Sequence, residues 1–111
     1  MSLENPAKNK SPLSLENVIK SSRGLVWSAL NRKKKGAYLY RVYDWETHNY
    51  LECDEDGLRL LSIFQSQRTI RDGLDMFREK YCLNGLTQEQ VISKYFPQIQ
   101  VAYQYGLLVS E

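Results

Sequence analysis

Hydrophobic and polar positions follow two periods along this chain, and the change from one to the other divides it. Ala37-Tyr-Leu-Tyr-Arg-Val-Tyr43 is rich in aromatic and β-branched residues, which suit a pleated surface, and it predicts a strand. Asp44-Trp-Glu-Thr47 is polar enough to turn the chain. His48-Asn-Tyr-Leu-Glu-Cys53 then alternates, with Leu51 and Cys53 on one face and Tyr50 and Glu52 on the other, so the two runs together predict a hairpin.

From Asp54 the period lengthens to that of helices. Asp54 is placed to cap a first helix, with Glu55 and Asp56 in the first turn, where acids complement the helix dipole. Leu58, Leu61 and Phe64 mark its apolar face, and it is expected to end near Gln65. After a short turn over Ser66-Gln-Arg68, Thr69 caps a second helix whose Ile70, Leu74, Phe77 and Tyr81 recur at helical spacing. Asn84-Gly85 stops it, and Thr87-Gln-Glu-Gln90 is a capping-box pattern that opens a third. That helix carries Val91, Ile92, Tyr95, Phe96, Ile99 and Ala102 and stops at Gly106, before the apolar tail Leu107-Leu-Val109. Pro97 lies inside it; a proline there removes a helical hydrogen bond, which predicts a kink or a break near Lys94–Phe96.

Ahead of the hairpin the pattern is weaker. Residues 1 to about 12 are polar, hold two prolines, show no periodicity and read as disordered. Leu15, Val18 and Ile19 have helical spacing over one short segment, whereas Leu25-Val-Trp-Ser-Ala-Leu30 suits either a first strand or a docking segment. Asn31-Arg-Lys-Lys-Lys-Gly36 reads as a solvated loop or turn. The expected division is a basic, partly disordered segment over 1–36 and a folded domain over 37–111.

At 111 residues, 42% hydrophobic and 25% charged, the chain fits one soluble globular domain with a modest core and little room for a deep catalytic pocket. The net charge of +2 conceals an asymmetry: residues 1–36 hold eight Lys and Arg against two acids, and 37–111 hold seven against eleven. A basic head of this kind suits nucleic acid, an acidic lipid surface or an acidic protein face, or simply keeps the chain soluble. No window is long and apolar enough to span a bilayer, and MSLENPAKNK lacks the apolar stretch of a secretory leader. The expected setting is the cytoplasm, with Cys53 and Cys82 reduced and no membrane association of its own.

Candidate chemistry is sparse, and a non-enzyme is expected. Catalysis by side chains needs a nucleophile with a base, paired carboxylates or a metal set, and the single histidine, His48, opens a strand. Cys53 and Cys82 lie far apart with no His or Cys beside either, Asp54-Glu-Asp56 is explained by helix capping, and no glycine-rich phosphate loop is present. No cofactor or metal is expected.

The reading Tyr50-Leu-Glu-Cys-Asp54 followed by Gly57-Leu-Arg-Leu-Leu61 resembles the PqqD family, the recognition elements of ribosomal-peptide maturation. Arg68-Thr-Ile70 resembles that family's junction into its second helix, and Tyr103-Gln-Tyr-Gly-Leu-Leu-Val109 its closing segment, so the likeness covers about residues 37–109. Three features depart from the pattern: Ser66-Gln67 stand where Asp-Gly is usual, Cys53 replaces a leucine, and Pro97 interrupts the third helix.

The resemblance implies an α+β, winged helix-turn-helix-like fold, a small antiparallel sheet of two or three strands followed by three helices. It also implies a leader peptide that adds as a strand to the hairpin edge beside the third helix, and a maturation enzyme as partner, most commonly a radical-SAM protein. An edge strand offers unpaired N–H and C=O groups, and His48–Cys53 carries no lysine or proline to guard it. On this reading the candidate peptide-binding residues are Tyr50, Leu51 and Glu52 on the strand and Tyr95, Gln98, Ile99, Ala102 and Tyr103 on the third helix. Leu51, Ile99 and Ala102 fit a core better than a binding surface, whereas the three tyrosines have the apolar body and polar tip of a half-exposed groove. Trp27, Trp45 and the basic 20–35 segment are candidate elements for docking an enzyme.

Two rivals remain. A winged-helix regulator would read DNA with its third helix, yet Thr87–Tyr105 carries only Lys94, opposed by Glu89. An accessory subunit of a maturase would need no peptide contact of its own.

Overall fold

The hairpin and the three helices are all present in a computed structural model, which describes residues 12–81 and 85–110. In chain order the elements are β1 (Val18–Ser21), β2 (Leu25–Lys34), β3 (Ala37–Asp44), β4 (Tyr50–Cys53), α1 (Glu55–Ile63), β5 (Arg68–Thr69), α2 (Ile70–Lys80), α3 (Gln88–Gln104) and β6 (Leu108–Ser110). The fold is α+β, with two three-stranded antiparallel sheets, ordered β5-β1-β6 and β2-β3-β4, and three helices.

The sheet β2-β3-β4 is a meander whose central strand is β3. Lys35 (φ 52) and Gly36 (φ 83) join Lys34 to Ala37, the positive-φ pair of a tight hairpin turn. The turn expected over Asn31–Gly36 therefore shrinks to two residues, and Arg32, Lys33 and Lys34 extend β2 instead. An irregularity between Ala29 and Lys33, with Asn31 at φ 54, absorbs the extra residues of β2 opposite β3.

Segment 18–34 supplies β1 and β2, so the boundary expected at 36 falls inside a hairpin rather than between a tail and a domain. Val18 and Ile19, which carry helical spacing, are in a strand. The disorder expected of the first residues concerns positions of which 1–11 lie outside the described ones.

Each helix begins where its cap was expected. The Gly57 N–H donates to the Asp54 carboxylate at 3.0 Å, and the Asp72 N–H donates to the Thr69 hydroxyl at 3.1 Å. Thr87 and Gln90 satisfy one another's backbone N–H groups at 3.1 and 2.8 Å, a complete capping box. At the far end of α3, Gly106 (φ 81) donates to the Tyr103 carbonyl and Leu107 to the Ala102 carbonyl, which caps the last turn in the left-handed conformation.

α3 runs unbroken through Pro97, so the break expected near Lys94–Phe96 is absent. Pro97 and Ser93, whose carbonyl loses its helical partner, are both exposed, and water can serve the orphaned oxygen. Of the stop expected at Asn84-Gly85, residues 82–84 lie outside the described ones; α2 itself ends at Lys80.

One core joins these elements: Ile19 of β1, Val42 of β3, Leu60, Leu61, Ile63 and Phe64 around α1, Ile70, Leu74 and Phe77 of α2, and Val91, Tyr95, Ile99 and Ala102 of α3. Gly73 lets α2 lie directly on the Phe64 ring, where any Cβ would overlap that ring. The apolar tail becomes β6, pairs with β1, and buries Leu107 and Leu108 completely. It thereby ties the end of α3 to the start of the described chain.

Candidate peptide groove

Among the described residues β4 is an edge strand, bonded only to β3. Its register is Tyr43 with Tyr50, Val42 with Leu51, Arg41 with Glu52 and Tyr40 with Cys53. At the turn the Asp44 N–H donates to the Asn49 carbonyl at 2.9 Å. Antiparallel ladders alternate between pairs that exchange hydrogen bonds and pairs that do not. Leu51 and Cys53 therefore bond to β3, while the N–H and C=O groups of Tyr50 and Glu52 point outward, along the free edge.

The side chains divide as the alternation predicted. Leu51 and Cys53 turn toward the helices and pack against the core; Tyr50, 50% exposed, and Glu52 face solvent. Glu52 receives Arg32 at 2.5 Å and Arg41 at 3.0 Å. The hydrogen bond from Arg41 is the chief reason that its carboxyl lies below the usual range. Arg41 also lies over the Tyr50 ring, 4.9 Å from its centre.

The turn that sets β4 in place is organised by Asp44, the buried acid of this region. Burial raises its carboxyl, but the Ser22 hydroxyl at 2.6 Å, the Glu46 N–H at 2.8 Å, the Thr47 N–H and the nearby His48 outweigh that effect and hold it below the ordinary value. His48, at φ 64, donates its N–H to the Asp44 carbonyl at 2.7 Å. It serves the turn.

Between β4 and α3 runs an open groove of about 660 Å³. Leu51 and Cys53 line the strand side, Pro97, Gln98 and Val101 the helix side, and Lys34, Lys35, Ala37 and Leu39 the end formed by the β2–β3 hairpin. Val101 is 46% exposed, an apolar side chain open to solvent at the rim. Beneath the groove, a cavity of about 40 Å³ reaches Leu51, Cys53, Gln98, Ile99 and Ala102. Burial, reinforced by Asp54, raises the Cys53 thiol to about 11, so the sulfur bordering the groove stays protonated.

The eight candidate residues separate accordingly. Leu51, Glu52 and Gln98 line the groove, and Tyr50 offers its backbone at the edge above it. Ile99 and Ala102 are core residues under the floor. Tyr95 is a correction: it is 1% exposed, packs edge-on against Phe77 at 4.8 Å and donates its hydroxyl to Asp56 at 3.2 Å. Burial first, and then Asp56, raise that phenol to about 12, which makes it a satisfied core tyrosine rather than a groove wall. Tyr103 is half-buried, lies 3.4 Å from the Ser110 hydroxyl and does not line the groove.

The groove wall is thus the helical stripe next to the expected one. Val91, Tyr95, Ile99 and Ala102 form the core stripe, and the residues missed, Pro97 and Val101, lie beside it. Val101 was the available signal, as an apolar residue off the core spacing. Lys34, Lys35, Ala37 and Leu39 were missed because they belong to the part of the β2–β3 hairpin that extends beyond the end of β4, which only the strand register reveals.

A second groove, of about 490 Å³, lies at the opposite edge of the sheet, between β2 and α1, with Trp27 at its rim. Trp27 and Trp45 are 59% and 60% exposed. Among the described residues, no group of three or more His, Cys, Asp or Glu is placed to hold a metal ion, and no helix is long and apolar enough to cross a membrane. No family model, no curated protein and no solved structure matches the chain.

Proposed function

We propose that this protein is a non-catalytic peptide-binding adaptor that captures an extended segment as an added strand on β4 and presents it to a modifying enzyme. The observation that carries this reading is the coincidence of a free strand edge, at Tyr50 and Glu52, with an apolar groove walled by Pro97, Gln98 and Val101 of α3. Main-chain pairing gives such a site affinity for any extended chain, and the groove beside it selects side chains.

The resemblance to the PqqD family makes the captured segment the leader of a ribosomally made precursor and the enzyme a maturase, most commonly a radical-SAM protein. It also makes β2-β3-β4 with the following helices a winged-helix-like domain. The exposed Trp27 and Trp45 lie outside the β4 groove and leave a separate surface for that enzyme.

The test is a titration by fluorescence anisotropy. A labelled leader segment of a ribosomally made peptide precursor is added to the isolated protein, with duplex DNA in parallel at stated salt. Tight peptide binding that Tyr50→Pro and Val101→Asp each weaken at least tenfold supports edge capture. Salt-steep DNA binding without peptide binding would replace this reading with that of a regulator.

A further inference from the structure

Four consecutive cations, Arg32 to Lys35, sit at the tip of the β2–β3 hairpin, and the structure uses only half of them internally. Arg32 is paired with Glu52 at 2.5 Å, and Lys33 lies 4.5 Å from the centre of the Tyr38 ring. Lys34 and Lys35 make no ion pair with another described residue and line the end of the β4–α3 groove. The acids bordering the same groove are engaged elsewhere: Glu52 is held by two arginines, and Asp54 caps α1.

The register fixes where these lysines lie along an added strand. β4 ends at Cys53, level with Tyr40, while β3 extends three residues further, to Ala37, which pairs with Lys34. At about 3.3 Å per residue the hairpin tip overhangs the end of β4 by roughly 10 Å. Both ladders of this sheet are antiparallel, and antiparallel pairing is more stable than parallel. A strand added antiparallel to β4 enters at the hairpin tip, passes Lys34 and Lys35, reaches Leu51 and Cys53, and leaves beside Tyr50.

We infer that the occupant of this groove is an acidic–apolar peptide, with Asp or Glu two or four positions before the apolar residue that seats on Leu51 and Cys53, so that both side chains face the groove. This rests on the proposed peptide-binding reading and adds to it a charge, a spacing and a direction. The acidic flank meets the two unpaired lysines, and the apolar residue covers the exposed Val101.

The experiment is selection from a random linear peptide library displayed on phage. It is run against the wild type, the Lys34→Glu/Lys35→Glu double variant and the Tyr50→Pro variant, followed by anisotropy with the enriched peptides. The wild type is expected to enrich acids ahead of an apolar residue, and the double variant to enrich Lys or Arg at the same positions. Replacing the acids of an enriched peptide by lysine should weaken its binding to the wild type about 3- to 10-fold at low salt, less at high salt, and the double variant should reverse the preference.

Enriched peptides with no acidic bias, or acids placed after the apolar residue, overturn the inference and leave the adaptor reading standing. No enrichment, or enrichment that Tyr50→Pro does not change, overturns both.

Discussion

Asp44 shows how much of the candidate site depends on one side chain. It is 2% exposed, and its carboxylate gathers Ser22 from the end of β1 and the backbone of the turn that places β4. Because folding lowers its pKa, its contribution is fully present above the unfolded value of about 4 and is lost as the pH falls through the lower folded value. Asp44→Asn should cost about 1–3 kcal/mol in urea denaturation at pH 7, and the gap to the wild type should narrow at pH 3. An equal gap at both values would mean that the charge of Asp44 contributes nothing. Cys53 gives a second residue-scale outcome. With its thiol raised to about 11, it should alkylate far more slowly at pH 7.5 than an ordinary thiol, as read by peptide mapping, and more slowly still once a peptide fills the groove.

At the scale of elements, what could be read in advance tracks how local the signal is. Asp54, Thr69 and the Thr87–Gln90 box announce their helices because a cap is a contact between residues three positions apart. The hairpin of β3 and β4 was legible for the same reason. β1, β5 and β6 hold four, two and three residues, too few to show a period, and they exist through pairing with segments distant in sequence. A buried phenol that hydrogen-bonds a part-exposed acid leaves the same mark on a sequence as one at a groove rim, and the partner of Tyr95, Asp56, lies on a different helix. An interior proline predicts a kink or a break, yet with its cap complete and its apolar stripe buried α3 continues through Pro97. Pro97→Ala should therefore restore a helical hydrogen bond and raise stability by about 1–2 kcal/mol, net of the stiffness proline gives the unfolded chain. A lower denaturation midpoint in that variant would show that the proline ring itself supports the groove wall.

For the whole molecule, the decisive property is that the sheet β2-β3-β4 keeps two edges unpaired among the described residues, each beside a helix. At the β4 edge, Tyr50 and Glu52 point their backbone groups away from β3. At the β2 edge the Trp45 N–H donates to the Gly24 carbonyl, and the same alternation leaves Leu25, Trp27 and Ala29 outward. The two edges differ in what lies next to them: Lys34, Lys35 and the Pro97–Val101 wall at β4, Trp27 and α1 at β2. Edge capture at β4 thus makes a residue-specific claim. The measurement that tests it most directly is amide hydrogen exchange by NMR, with and without a saturating peptide enriched on the wild type. The account predicts that Tyr50 and Glu52 exchange quickly in the free protein and become protected when peptide is bound, while Leu25, Trp27 and Ala29 do not change. Protection at the β2 edge instead, or binding with no change at Tyr50 and Glu52, would contradict it.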